Sequence, residues 1–183
     1  MNATRAPEDD RPLLLMAQDE GRFGRISRCR RAWAPPDVRP QAPRHVVREY
    51  TYVFSAVAPT LGTLTSLILP HATTQMMHVF LQHVAQEYAA YFMVMQVDRA
   101  GWHQSKDLVI PDNIRLLAQP AHSPELNPVE HIWEELREKH FHNRAFPSLD
   151  AVEETLIVGL NRLDQNPEYV RSMPYFPHFR NLS

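Results

Sequence analysis

The 183-residue chain has a single cysteine, Cys29, which excludes an internal disulfide framework and a zinc finger built on cysteines. Long hydrophobic runs are also absent: the longest strongly apolar stretch, residues 89–95, is too short to cross a bilayer. The first residues show no apolar core of a secretory signal peptide. These absences predict a cytoplasmic protein that does not contact a membrane.

Neither sign of charge dominates, because the formal net charge is −2 and the pI is about 6.5, so the overall charge does not indicate a nucleic-acid binder. Lysine is nearly missing: only Lys106 and Lys139 occur among 19 basic residues. Two interpretations of the arginines remain open at this point, a solvated loop encoded by a GC-rich genome or a surface for bidentate contacts with phosphate groups. Five arginines fall within ten residues: Arg22, Arg25, Arg28, Arg30 and Arg31.

Hydrophobic residues make up 44% of the chain and charged residues 22%, as is usual for one soluble globular domain. Residues 21–48 contain the arginine cluster and four prolines, and this composition predicts a loop. Apolar and β-branched runs predict five strands, at residues 13–18, 50–58, 63–69, 91–97 and 114–118.

Three helices are predicted between and after the strands. The first begins at Thr73 or Thr74, the second has Asn127 as its N-cap and Pro128 as its first residue, and the third begins after Ser148. The order of the elements predicts an α/β fold, with a central mixed five-stranded sheet flanked by helices.

Two aspartates, Asp19 and Asp98, directly follow predicted strands that are apolar throughout, and ligands bind at this edge of open α/β sheets. A third acid, Glu130, lies in the first turn of the second helix. If the strands are neighbours, the carboxylates repel one another unless a cation such as Mg²⁺ or Mn²⁺ neutralises them. Each acid also has a structural interpretation, since the aspartates can simply end strands and Glu130 can form a capping box with Asn127.

Three segments, in order, resemble the catalytic motifs of a transposase family, the mariner-related bacterial insertion sequences numbered six-thirty. The first is DEGRFG at residues 19–24, followed by RRAWAP at 30–35; the second is VDRAGWH at 97–103; the third is SPELNPVE at 123–130, with Trp133 close behind. The resemblance covers residues 13–163. It implies a ribonuclease H-like fold and a catalytic, metal-binding triad of Asp19, Asp98 and Glu130.

The resemblance also implies a reaction, a cofactor and partners. The family cleaves double-stranded DNA at the ends of the element and then joins a 3′-hydroxyl group to target DNA, commonly at a TA dinucleotide. We expect two Mg²⁺ or Mn²⁺ ions, a homodimer on DNA, and a location in the bacterial cytoplasm, associated with the nucleoid when DNA is bound. The residues expected to contact DNA are the five clustered arginines together with Trp102 and His103.

The sequence departs from the family pattern in two places. Pro36 and Asp37 stand where the family usually carries a glycine after its first motif. Only 18 residues precede Asp19, which is too few for the helix-turn-helix module that relatives carry there, so recognition of the element ends is expected from a separate N-terminal portion. We expect a polar tail at residues 1–12, the catalytic domain at 13–172 and a C-terminal tail at 173–183.

Two other functions remain open on the sequence. A truncated domain without catalytic activity could bind DNA or pair with a full-length transposase. Another ribonuclease H-like nuclease, such as a junction resolvase or a nuclease of RNA–DNA hybrids, is the second alternative, and the third motif argues against it.

Overall fold

The computed structural model describes residues 5–6, 8–26, 30, 33–39, 41–43, 46–120, 123 and 126–173. The predictions for Arg28 and Arg31, and most of the predicted C-terminal tail, lie outside the described residues. Within the described part of the chain, no helix has both the length and the apolar character that a membrane span requires.

The described residues form five strands, β1 (Leu13–Ile26), β2 (Val46–Ala58), β3 (Thr63–Leu69), β4 (Phe92–Val97) and β5 (Ile114–Ala118). They make one mixed sheet in the order β3-β2-β1-β4-β5. Strand β1 pairs antiparallel with β2 and parallel with β4, β2 pairs antiparallel with β3, and β4 pairs parallel with β5. The predicted five-stranded mixed sheet is therefore confirmed.

The helices begin where side-chain caps stand in the sequence. The hydroxyl of Thr73 accepts a hydrogen bond from the amide of Met76, and the hydroxyl of Ser148 accepts one from the amide of Ala151. The sequence did not predict the last helix, because six residues are too few to show a helical period. The helices are α1 (Thr74–Glu87), α2 (Val129–Leu136) with a π-helical continuation (Arg137–Phe141), α3 (Leu149–Asp164) and α4 (Pro167–Ser172).

Helices cover both faces of the sheet, so the fold has two apolar layers. Because side chains alternate along a strand, Met16 of β1 packs toward α1 with Phe80, whereas Ala17 packs toward α2 and α3 with Trp133 and Leu156. Burial on both faces explains why the first residues of β1 and most of β4 are apolar.

The predicted loop at residues 21–48 is wrong at both ends. Strand β1 continues to Ile26, and β2 already begins at Val46. The extension pairs with β2, as Arg22 opposite Tyr52 and Gly24 opposite Tyr50 show, and the register shifts between Gly24 and Ile26. The arginine and glycine residues of this segment do not predict a strand. Its stability comes from pairing with β2 rather than from an apolar run.

Arg25 joins the end of β1 to two other parts of the chain. Its Nη1 donates to Oε2 of Glu49 on β2 at 2.7 Å, while its Nε and Nη2 donate to the carbonyl oxygens of Phe146 and Pro147 at 3.1 and 2.7 Å. The side chain is only 14% exposed. Arg25 therefore has a structural role, the attachment of β1 to the segment that precedes α3, and its predicted contact with DNA stays a prediction.

We expect Arg25→Ala to lower the free energy of unfolding by about 1–3 kcal/mol, because it leaves two carbonyl oxygens without a charged donor. Arg25→Lys should recover only part of the loss, since an ammonium group lacks the guanidinium fork. Urea denaturation measures both. Arg22→Ala is the matched control, because Arg22 is exposed on the same strand; an equal loss in the control would contradict the structural role.

Candidate active site

The parallel pairing of β1 with β4 brings Asp19 and Asp98 together. Paired residues run from Leu13 opposite Phe92 to Ala17 opposite Gln96. Each aspartate lies two residues beyond the last pair, so the two occupy equivalent positions on neighbouring strands, which are roughly 4.8 Å apart in a sheet. Asp98 directly follows β4, as predicted.

The predicted position of Asp19 at the end of its strand is wrong. Asp19 lies inside β1, opposite Ser55 of β2, because β1 stays paired with β2 after its pairing with β4 has ended. Asp19 nevertheless lies beside Asp98 at the edge of the sheet where β4 ends. Residues of β1 therefore precede and follow Asp19, and its position is fixed more firmly than that of a residue in a turn.

Helix α2 is attached beside Asp19 through polar contacts. Nε1 of Trp133 donates to Oδ2 of Asp19 at 2.8 Å, and Nδ2 of Asn127 donates to the carbonyl oxygen of Gln18 at 3.1 Å. The indole ring lies directly over Gly21, where an added Cβ would stand 2.9 Å from a ring carbon. Glu130 precedes Trp133 by three residues, which places both on one side of the helix.

The start of α2 differs from the prediction by one residue. The helix begins at Val129 and Pro128 occupies the N-cap position, while the side chain of Asn127 still accepts the amide hydrogen of Val129 at 3.1 Å. The hydrogen bonds that cap this end, among the described residues, come from Asn127 and not from the predicted capping box of Glu130. The Glu130 carboxylate thus remains available for another role.

The surroundings of Asp19 are acidic. The pKa of Asp19 is raised to about 7, chiefly by burial; the hydrogen bond from Trp133 opposes this rise, and the carboxylates of Glu20 and Glu130 add to it. Glu130 is thus close enough to act electrostatically on Asp19. A buried carboxyl group with this pKa, next to other acids, is a group that a cation would stabilise in its charged form.

His103 connects the second aspartate with the acid that follows the first. Its Nδ1 lies 2.8 Å from Oδ1 of Asp98, and its Nε2 lies 2.9 Å from Oε1 of Glu20. Burial alone would lower the pKa of His103, but the two carboxylates outweigh it and raise the pKa to about 10. The hydrogen bond from His103 in turn lowers the pKa of Asp98 against the opposing effect of burial.

Two predicted DNA-binding residues, His103 and Trp102, are packed against the protein. The side chain of His103 is 1% exposed, and its contact with DNA stays a prediction. Trp102 is half-buried and packs against the core under α1, edge-on to His103 at 5.9 Å, rather than lying open for base stacking. Both belong to the support of the site.

The donor set fits a hard divalent cation, because Asp19, Asp98 and Glu130 offer carboxylate oxygens and Asp19 lies buried among other acids. No group of three histidine, cysteine or acidic side chains within the described ranges already has a metal-holding arrangement. Asp98 is instead paired with His103. The three residues therefore fit a divalent cation in the chemistry of their donor atoms and in the alignment of the backbone that carries them.

Sequence reasoning missed several supporting residues. Trp133 is 1% exposed, and the sequence gives no direct sign of its bond to Asp19. The link from Asn127 to Gln18 and the contact of Glu20 with His103 were also missed. The available signal was position: each of these residues lies within three residues of one of the three acids or inside their motifs.

Two sequence comparisons relate the chain to known proteins. The sequence model described as DDE superfamily endonuclease matches residues 15–153, which include all three acids. The uncharacterized protein y4pE/y4sA of Sinorhizobium fredii (strain NBRC 101917 / NGR234) is 34% identical over 125 residues, which make up 68% of this chain and 93% of that protein.

Solved structures of Mos1 share the fold. A pre-cleavage Mos1 transpososome aligns with a TM-score of 0.61 at 14% identity, over 88% of this chain and 56% of that chain. The catalytic domain of Mos1 mariner transposase aligns with a TM-score of 0.53 at 14% identity, over 88% and 83%. The chain spans 55% of the Mos1 chain in its strand transfer complex. The predicted ribonuclease H-like fold, a mixed five-stranded sheet flanked by helices, is thereby confirmed.

Asp19→Asn should stabilise the protein at high pH when EDTA removes divalent ions. An acid whose folded pKa is raised binds its proton more tightly in the folded state, so stability falls as pH rises from about 4 through about 7. Asparagine keeps an acceptor for Trp133 and removes that loss. We expect a gain of up to about 4 kcal/mol in the free energy of unfolding at pH 8, since a tenfold change in an acid dissociation constant corresponds to about 1.4 kcal/mol.

Urea denaturation between pH 4.5 and 8 measures this difference, which should shrink toward the acidic end. Glu154→Gln is the control, because Glu154 is exposed on α3. A variant at Asp19 that is no more stable than the parent at pH 8 would contradict the raised pKa.

Proposed function

The chain belongs to the DDE superfamily of endonucleases, and from that membership we propose that it is the catalytic domain of a DNA transposase, which cleaves phosphodiester bonds at element ends and transfers the strands to target DNA. The observation that carries the proposal is the alignment of Asp19 with Asp98 on neighbouring parallel strands, with the helix of Glu130 bonded to Asp19. The motif resemblance supports the narrower assignment to the mariner-related insertion sequences numbered six-thirty.

Asp19, Asp98 and Glu130 would hold Mg²⁺ or Mn²⁺, and two ions fit this chemistry. When bound, such ions supply Lewis acidity for an attacking water or 3′-hydroxyl group and for the leaving oxygen. The raised pKa of Asp19 supports the assignment, as do the Mos1 paired-end complexes that were crystallised with Mn and with Mg. The hydrogen bonds of Trp133 and Asn127 keep the Glu130 helix beside Asp19.

A basic cavity of about 50 Å³ offers a place for the DNA backbone, and its lining includes Arg22, Arg137, His142 and Arg144 but no acid among the described residues. Aromatic rings support its guanidinium groups, which lie 4.7, 5.4 and 5.2 Å from the ring centroids of their partners. Arg137 follows Glu130 by seven residues, roughly 10 Å along a helix. This distance suits successive contacts with one strand.

Arg30 supports the same location. It is exposed, and its backbone amide donates to Oδ1 of Asn143 at 2.9 Å, which holds it next to Arg144. Double-stranded DNA as partner, a homodimer that pairs two element ends, and a separate helix-turn-helix portion for end recognition complete the proposal. The Mos1 complexes with paired ends and a left transposon end support the DNA partner.

Asp19→Asn, Asp98→Asn and Glu130→Gln should each reduce Mn²⁺-dependent nicking of supercoiled plasmid by about a thousandfold or more, because each removes a charged oxygen donor. Glu154→Gln should nick at the parental rate. Circular dichroism confirms that each variant is folded. Variants that fold and still cut at the parental rate would exclude these three acids as the catalytic triad.

A second candidate function follows if His103 keeps Asp98 away from a cation instead of orienting it toward one: a domain that binds DNA or a full-length transposase without cutting. Adding a helix-turn-helix portion of a relative to the same assay separates the two. Cleavage by the chain, alone or with that portion, supports the enzyme. Tight DNA binding without cleavage in either case supports the silent domain.

Replacing Arg22, Arg137 and Arg144 together with alanine should weaken binding to a fluorescent duplex and flatten its salt dependence. Each lost phosphate contact lowers the slope of log K against log salt by about 0.9. Fluorescence anisotropy at several salt concentrations measures the slope. Arg115→Ala with Arg162→Ala is the control, since both arginines are exposed on other elements; an unchanged slope in the triple variant would remove the cavity from the interface.

A further inference from the structure

We propose that Glu20 and His103 are positioning residues, which hold the Asp98 carboxylate so that its second oxygen is offered to the metal. The proposal rests on the proposed function, since it takes Asp98 as a metal ligand. Neither residue belongs to the three acids of the triad. Their contacts, however, end on Asp98, and they explain why an acid and a histidine are buried at this edge of the sheet.

The two oxygens of Asp98 have different surroundings. Oδ1 accepts the backbone amide of Ala100 at 2.8 Å and forms an ion pair with Nδ1 of His103 at 2.8 Å. Oδ2 receives no hydrogen bond from any of the described residues. A carboxylate fixed through one oxygen by two donors cannot rotate freely, so its other oxygen is presented in a defined direction. Outer partners orient metal-binding carboxylates in this way.

Glu20 holds His103 on the side of the ring that faces away from Asp98. Each ring nitrogen lies opposite a carboxylate oxygen, so both nitrogens donate, although Nδ1 also lies 3.2 Å from the carbonyl oxygen of Asp98. Oε1 of Glu20 accepts from Nε2 of His103 at 2.9 Å and from Nε2 of Gln18 at 2.9 Å. Glu20 is only 5% exposed, which excludes the competing water that weakens such contacts on a surface.

The resulting chain of contacts runs from β1 to the end of β4. Gln18 and Glu20 flank Asp19 on β1, and His103 carries their position across to Asp98. Trp133 does the equivalent for Asp19 by holding its Oδ2. Each aspartate of the triad thus has its own dedicated donor, and Glu20 serves as an anchor for one of them rather than as a metal ligand.

A matched pair of variants separates the two halves of the His103 contact. In His103→Asn the amide nitrogen replaces Nδ1 and can still donate to Asp98, whereas in His103→Gln it replaces Nε2 and reaches only Glu20. We expect His103→Gln to weaken Mn²⁺ binding about tenfold or more, as loss of an outer partner commonly does. We expect His103→Asn, which keeps the donor to Asp98 but loses the contact with Glu20, to weaken Mn²⁺ binding less, by about threefold.

Mn²⁺ binding is measured by electron paramagnetic resonance of the free ion, without DNA, and the free energy of unfolding in EDTA is measured beside it. A purely structural role predicts a loss of stability in both variants and equal Mn²⁺ affinity, and that result would overturn the proposal. If the histidine variants do not fold, a comparison of Glu20→Gln with Glu20→Ala tests the contact between Glu20 and His103 instead. Only the alanine variant should weaken Mn²⁺ binding.

Asp98→Asn distinguishes this proposal from the proposed function. If Asp98→Asn abolishes Mn²⁺ binding while His103→Gln leaves it at the parental value, the triad stands and the positioning role fails. If Asp98→Asn itself binds Mn²⁺ like the parent, Asp98 is not a ligand and both proposals fail. Loss of binding in Asp98→Asn and His103→Gln, with a smaller loss in His103→Asn, supports both.

Discussion

The parallel pairing of β1 with β4 is the interaction on which the candidate site depends. It sets Asp19 and Asp98 at equivalent positions although 79 residues separate them in the chain. A shift of the register by one residue would turn one of the two aspartates to the opposite face of the sheet. The apolar residues that precede both aspartates prevent this shift, because they are buried in layers on both faces. The core therefore determines the geometry of the charged groups.

Helix α2 shows how the same residues serve stability and the site. Trp133 fills the core between β1 and α3 and donates to Asp19, and Gly21 leaves the space that its ring needs. The acids at this edge oppose one another, so the arrangement costs stability in the absence of a cation. Retaining a costly cluster of charges at one edge of an otherwise apolar fold is typical of a functional site.

The predictions that succeeded were those that depend on local chemistry. The caps at Thr73 and Ser148 and the bounds of β3 and β5 follow from neighbouring residues alone. The predicted loop after Asp19 was wrong because a strand rich in arginine and glycine has no local signal. Pairing with β2 stabilises it, and β2 contacts are not visible in the sequence of β1.

The sequence by itself determined the type of fold, the starts of α1 and α3 and, through the motif resemblance, the choice of three acids. Only the tertiary structure decided what surrounds those acids and which charged residues support the fold. Arg25 reaches carbonyl oxygens 121 and 122 residues away, and His103 reaches Glu20 across 83 residues. Burial and pairing at such separations result from the packing of the whole chain, so composition and spacing cannot reveal them.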